Sequence, residues 1–196
     1  HANNEIGNLI DLKNVSTLCR ANGAYFHSDT VQTMCHYVFD LAELDIDFIT
    51  ASAHKFHGAK GIGFLYINSK VSIKPMIHGG AQERNMRGGT ENIYGIVGLA
   101  KAMEVAYRDL EAHQNHVQGL KTYMIERLRK SIPDVRFNGD PEGSSLYTVL
   151  NVCFPDTPIS EMLLFNLDIM GISASGGSAC SSGSSVGSHV LAELVR

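Results

Sequence analysis

Apolar residues recur along this chain in two rhythms, and their alternation predicts an α/β fold. Leu12, Val15, Leu18 and Cys19 keep the three- and four-residue spacing of one helix face. Asp11 stands as a cap before that helix, and Asn22-Gly23 as a stop after Ala21. Ala24 to His27 predicts a short strand ending at Ser28-Asp29, and a short helix near Leu41 to Leu44 leads into a mostly apolar run from Ile46 to Ala51. That run is read as a buried strand. A glycine-rich loop separates it from a second apolar run, Ile62 to Ile67. Helical spacing then returns. One helix, capped by Thr90, turns Ile93, Ile96, Val97 and Ala100 inward and reaches about Arg108; a second, roughly Leu110 to Ser131, buries Val117, Leu120, Met124 and Leu128. Strands near Val135 to Phe137 and Tyr147 to Phe154 flank a Pro/Gly turn at Gly139 to Gly143. Thr157 caps a helix with Pro158 at its first position, ending by Gly171. A short strand, Ile172 to Ala174, and a last helix, Val190 to Val195 with Ser188 as its cap, complete the pattern.

Helices alternating with apolar strands predict a largely parallel sheet, and ligands of such sheets bind beyond the carboxyl ends of the strands. Asp29 and Lys55 both lie at such ends. A domain change is expected near Tyr107 to Leu110, giving a first domain over 1–108 and a smaller α/β domain over 109–196.

Composition narrows the function classes. The 196 residues are 44% hydrophobic and 18% charged, ordinary for a globular domain, and the net charge of -4 with no basic stripe gives no case for nucleic acid. No apolar run approaches the roughly 20 residues of a membrane helix. Cys19, Cys35, Cys153 and Cys180 are far apart, without the paired spacing of a zinc site, so no metal is expected. Reduced thiols in a cytoplasmic protein fit this usage. The opening His1-Ala2-Asn3-Asn4-Glu5-Ile6-Gly7 lacks an initiator Met, and the chain is read as a piece of a longer protein.

The densest chemistry lies at Ser52-Ala53-His54-Lys55-Phe56-His57-Gly58-Ala59-Lys60. A lysine at a strand end, beside a hydroxyl and an imidazole, can lose water and become a nucleophilic amine. Such lysines form Schiff bases with carbonyl compounds or with pyridoxal phosphate. Nothing local separates Lys55 from Lys60 in this role, and a solvated loop lysine is the plain alternative. Asp29 has a matching use, since a carboxylate at the pyridine nitrogen keeps that ring an electron sink; otherwise it caps a turn. Gln32 follows within reach of a phenolic oxygen, and Ser52 and His54 are suited to a phosphate. Pro75 to Thr90, with Arg84 and Arg87-Gly88-Gly89-Thr90, has the composition of an anion-contacting loop or of a solvated one. Ser175 to Ser188 has almost no side chains to anchor it in a core, and Cys180 sits in its middle. That thiol is expected to be accessible, as a reactive group or as an incidental one.

Asn3-Asn4-Glu5-Ile6-Gly7, His27-Ser28-Asp29-Thr30-Val31-Gln32, Ser52-Ala53-His54-Lys55, Arg87-Gly88-Gly89-Thr90 and Ser178-Ala179-Cys180 occur together and in order. In this the chain resembles the cysteine desulfurases, class V members of the fold-type I pyridoxal 5'-phosphate enzymes, and among them the iron–sulfur-assembly group. The resemblance implies a three-layer, aspartate aminotransferase-like fold: part of a large domain, followed by most of a small one. It assigns Lys55 as the Schiff-base lysine, Asp29 as partner of the pyridine nitrogen, and Gln32 and Asn4 as neighbours of the phenolic oxygen and the substrate. Ser52 and His54 become phosphate binders. Thr90 matches a threonine that reaches the phosphate of a partner subunit, implying a homodimer. Cys180 matches the cysteine that takes sulfur from L-cysteine as a persulfide and passes it to an acceptor scaffold protein. Thr30 stands where alanine is usual, and Ala59 where proline is common. Similar enzymes also have an upstream phosphate loop, a ring-stacking histidine and a downstream arginine for the substrate carboxylate, none of which lies within these residues. Alternatives of the same cofactor class are a selenocysteine lyase or another class V aminotransferase-like enzyme. A third is that the chain alone holds the cofactor weakly or not at all.

Overall fold

In a computed structural model of the chain, residues 1–158, 160–176 and 188–194 are described. The chain forms two compact units. The first comprises His1 and Ile10–Gln114; the second joins Ala2–Leu9 to the residues from Asn115 onward. The division therefore falls inside a helix, later than the 107–110 read from the sequence, and the second unit recruits the N-terminal segment.

In the first unit, α1 spans Leu12–Ala21, and Asp11 caps it as expected, its side chain accepting from the Asn14 N–H. The strands are β1 (His27–Asp29), β2 (Phe48–Ser52) and β3 (Gly63–Ile67), ordered β1-β2-β3. β1 runs parallel to β2, with His27 opposite Phe48 and Asp29 opposite Thr50. β3 runs antiparallel to β2, with Ser52 opposite Gly63. This corrects the expectation of a largely parallel sheet. Residues 53–62 are too few for the crossover of a dozen or more residues that a parallel return requires. Gly63 has a steric reason: an added Cβ would lie 2.4 Å from the Ala51 carbonyl oxygen across the ladder.

The first unit's core gathers Leu12, Phe26, Met34, Ile46, Ile49, Ala51, Ala53 and Phe56. Asp47 is buried beside it, accepting from the Phe26 N–H at 2.7 Å and pairing with the Arg20 guanidinium at 2.9 Å. The helix expected at Leu41 to Leu44 is a single turn closed by the Leu44 N–H on the Asp40 carbonyl at 2.9 Å.

α2 (Ile93–Arg108) begins where expected, but Asn92 caps it, not Thr90; the Asn92 side chain accepts from the Gly95 N–H. Its packed face is also different. Leu99, Ala102, Met103 and Ala106 lie on the core, while Ile93, Ile96 and Val97 are exposed, as is Ala100. This helix is apolar nearly all round, so periodicity alone does not choose its inner stripe.

α3 (Leu110–Ser131) passes from the first unit into the second. Lys121 and Ile125 are its buried residues; Val117 and Leu128 are half-buried, but Leu120 and Met124, expected inside, are exposed. The inner stripe is rotated by one position, and it accepts a lysine because the lysine finds oxygens. Lys121 Nζ donates to Ser145 Oγ at 2.9 Å and to the Leu146 carbonyl at 3.2 Å, while burial pushes its pKa down.

β4 (Arg136–Asn138) and β5 (Asn151–Cys153) pair antiparallel, with Asn138 donating to Asn151 across the ladder at 2.8 Å. The longer strand expected over 147–154 is restricted to β5. After a 3-10 turn over Ser160–Met162, α4 covers Leu163–Ile169, and Gly171, at φ 77, ends it. Ile172 to Ala174 form no strand. α5 spans His189–Leu194, with Ser188 Oγ accepting from the Leu191 N–H at 3.0 Å, the cap expected there.

Candidate active site

The carboxyl edge of β1 and β2 carries most of the candidate residues. Thr30, fully buried, ties the end of β1 to β2: its N–H and its hydroxyl both donate to the Thr50 carbonyl, at 3.0 and 2.9 Å. Asp29, just before it, is exposed, and its carboxylate accepts from the Val31 N–H at 2.8 Å. Because Asp29 is opposite Thr50, it shares this edge with Ser52, two residues further along β2.

Beyond Ser52 the chain folds into a 3-10 turn over Ala53–Phe56. Ala53 and Phe56 are the buried residues of this turn, which leaves His54 exposed and Lys55 half-buried. The turn closes tightly. The Ala53 N–H donates to the Ile62 carbonyl at 3.0 Å, the Gly58 N–H to the Ala53 carbonyl at 2.9 Å, and His57 takes a left-handed φ of 64. Gly58 is required by proximity, since an added Cβ would come 2.7 Å from the Ala53 Cβ. Ser52 Oγ and His54 Nδ1 are in hydrogen-bond contact at 2.7 Å.

A residue that sequence reasoning missed stands behind this turn. His36 donates from Nε2 to the Lys55 carbonyl at 3.3 Å, and the Gln114 side chain donates to the His36 carbonyl. Burial lowers the His36 pKa; the bond to the Lys55 carbonyl opposes that, and His113 and His57 add to it. The neutral, donating ring is therefore favoured. Nothing in the spacing of the sequence signals a histidine that acts on a backbone oxygen.

Gln32, half-buried, sits in the turn after Asp29, which is closed by the Thr33 and Met34 N–H groups on the Thr30 carbonyl at 2.8 and 2.7 Å. Thr90 is exposed at the end of a loop that packs on its own glycines. There the Gly88 N–H donates to the Ile77 carbonyl at 2.9 Å, and a Cβ on Gly88 would meet Gly79 N at 2.7 Å. Asn4 belongs to the second unit, whereas Asp29, Gln32, Ser52, His54, Lys55 and Thr90 belong to the first. Cys180 lies outside the described residues. Among those described, no cluster of His, Cys, Asp or Glu has metal-binding geometry, and Cys19, Cys35 and Cys153 are unpaired.

The donor set suits pyridoxal 5'-phosphate. It offers a carboxylate at one strand end, a primary amine just beyond the neighbouring strand, and a hydroxyl with an imidazole between them in sequence.

Comparison with known proteins agrees with this chemistry. The aminotransferase class-V family matches the chain over residues 1–196. The chain is similar to proteins named cysteine desulfurase IscS: 42% identical over 194 residues to that of Dictyoglomus turgidum, covering 99% of this chain and 49% of the relative. With that of Methanosarcina thermophila it is 45% identical over 190 residues, covering 97% of this chain and 46% of the relative. The chain thus spans about half the length of the curated relatives it matches. Among solved structures, a NifS-like protein from Rickettsia africae superposes with a TM-score of 0.82 at 31% identity, covering 90% of this chain and 48% of that one. Another protein described as NifS-like gives 0.81 at 38% identity, covering 89% and 47%.

Proposed function

The chain belongs to the aminotransferase class-V family, and from that premise we propose that the protein is a pyridoxal 5'-phosphate-dependent cysteine desulfurase. The observation that carries this reading is the shared edge of β1 and β2, with Asp29 at one strand end and Lys55 just past the other. When bound, the cofactor supplies an electron sink for the substrate's carbon skeleton.

The protein's own groups have these roles. Asp29 holds the pyridine nitrogen protonated. Ser52 and His54 bind the phosphate, and Gln32 and Asn4 border the phenolic oxygen and the substrate. Lys55 holds the cofactor through its amine and then moves the substrate α-proton. Cys180, as thiolate, attacks the sulfur of L-cysteine. A sulfur–sulfur bond forms as the substrate's carbon–sulfur bond breaks, and that electron pair stays with carbon, which takes a proton. The products are L-alanine and a persulfide on Cys180, with no outside oxidant or reductant. The persulfide then passes to a sulfur-acceptor scaffold for iron–sulfur cluster assembly.

We further propose a cytoplasmic homodimer in which Thr90 reaches the partner subunit's phosphate. Supporting this, the first turns of α2, directly after Thr90, expose Ile93, Tyr94, Ile96 and Val97. No helix among the described residues is long and apolar enough to cross a membrane.

The test uses the full-length protein. With pyridoxal phosphate and L-cysteine it is expected to yield L-alanine and sulfide in the presence of a thiol reductant. Lys55→Ala should lose the yellow absorbance of the lysine-bound cofactor together with activity. Cys180→Ser should keep the absorbance but form no persulfide. Full activity in Lys55→Ala, or sulfide release from cysteine by Cys180→Ser, overturns the reading. Turnover of selenocysteine with none of cysteine would assign the lyase activity instead.

A further inference from the structure

The turn that presents Asn4 also holds a buried carboxylate. Asn3 Oδ1 accepts from the N–H groups of Glu5 and Ile6 at 2.9 and 3.0 Å, and the Gly7 N–H returns to the Asn3 carbonyl at 3.0 Å. The turn is fastened from outside as well. The Leu146 N–H donates to the Gly7 carbonyl at 2.8 Å, and Asn151 donates to the Glu5 carbonyl at 3.2 Å. Lys121 in turn grips Ser145 and Leu146. Glu5 within this turn is only 5% exposed. Its carboxylate accepts the hydroxyl of Ser188, whose oxygen is the cap of α5.

A carboxylate removed from water costs free energy, and a short motif is not improved by one unless it holds something. What Glu5 holds is the chain at Ser188, eight residues after Cys180. The same place is marked a second way. Asn4, Glu5, Ser175, Gly176 and Leu191 line one cavity of about 340 Å³. Ser175 and Gly176 thus line the same cavity as Asn4 and Glu5, and Ser188 is bonded to Glu5 itself.

We propose that Glu5 is a positioning residue for sulfur transfer, its carboxylate fastening Ser188 to the turn that carries Asn4. The inference rests on the desulfurase reading above. It assigns two duties to adjacent residues: Asn4 serves the cofactor and substrate, and Glu5 fixes the chain at Ser188, eight residues after the acceptor thiol.

The experiment uses the full-length holoenzyme, with Glu5→Ala, Ser188→Ala, their combination, and Glu5→Gln, whose amide oxygen can still accept the Ser188 hydroxyl. Two signals are followed after mixing with L-cysteine: the change in cofactor absorbance, and the persulfide on Cys180 by intact mass. Losing one charge-assisted hydrogen bond is expected to slow persulfide formation about tenfold in each single variant. The double variant should be no slower than the singles, and Glu5→Gln should recover most of the rate. The amplitude of the absorbance change and the KM for cysteine should stay near wild type in Ser188→Ala, the variant least demanding on folding. Unchanged persulfide formation in Ser188→Ala, additive losses in the double variant, or a loss that always accompanies the absorbance change would overturn the proposal. A wild type that makes no persulfide from cysteine overturns the functional reading, and this inference with it. A wild type that makes it at the rate of the variants overturns this inference alone.

Discussion

Cys35 shows how far a side chain's surroundings govern its chemistry. It is 3% exposed, and burial pushes its pKa up to about 11, against a smaller opposing pull from Tyr107. At pH 8 only about one such thiol in a thousand is ionised, and it is also shielded. Iodoacetamide at that pH is therefore expected to leave Cys35 unmodified in the folded protein while the half-buried Cys19 and Cys153 react, read by peptide mass mapping. Prompt alkylation of Cys35 before unfolding would contradict this. The same reasoning explains which candidate site residues are legible in the sequence. Asp29 and Lys55 stand out because an apolar strand stops at a polar group, and that transition is itself a pattern. His36 and Glu5 are silent because what sets them apart is what they touch, a backbone oxygen and a distant hydroxyl. Contacts between residues so far apart in sequence leave no periodic trace.

At the scale of elements, caps and cross-strand approaches carry measurable free energy. Asp11 accepts from the Asn14 N–H at 3.0 Å and from the Asn14 side chain at 2.8 Å. Asp11→Ala should cost about 1 kcal/mol in chemical denaturation. Gly63→Ala should cost more, because its Cβ would strike a backbone oxygen and the β2–β3 ladder must shift; a melting temperature unchanged by that substitution would show that β3 is placed otherwise. Asp47 supplies a pH dependence. Burial alone would raise its pKa, but the Arg20 guanidinium, the Phe26 N–H and more distant Lys70 together bring it below the usual carboxylate range. A depressed carboxyl stabilises the fold fully above its unfolded pKa, and that contribution is lost as pH falls through the folded value. Asp47→Asn should lower stability by about 2 kcal/mol at pH 7, with the gap to wild type closing below about pH 4. The helices also show where reading stops. The positions of α1, α2 and α3 follow from spacing, with the Asp11 cap as a further mark for α1, but the cap of α2 and the inner stripes of α2 and α3 do not. α2 offers apolar residues on every side, and the inner stripe of α3 includes Lys121, whose charge reads as surface until Ser145 and Leu146 are seen to receive it.

At the scale of the molecule, two units share one continuous helix, and the N-terminal segment is built into the second of them. The dimer proposed above gives the exposed start of α2 a definite consequence. The full-length protein should sediment at twice its chain mass, and Val97→Glu should shift it toward the monomer; a wild-type monomer at micromolar concentration would remove Thr90 from the proposed site. The second unit was the less legible of the two, because its strands are only three residues long and its ties run from Asn8 and Glu5 to residues near 140, 151 and 188. In the first unit, β2 is flanked on both sides, by β1 and by β3. With Ile49 and Ala51 buried, its amides should be among the last in that unit to take up deuterium. The mount of Lys55 would then outlast its surroundings as the protein loosens, and on heating the proposed activity would fail through the periphery before that lysine was displaced.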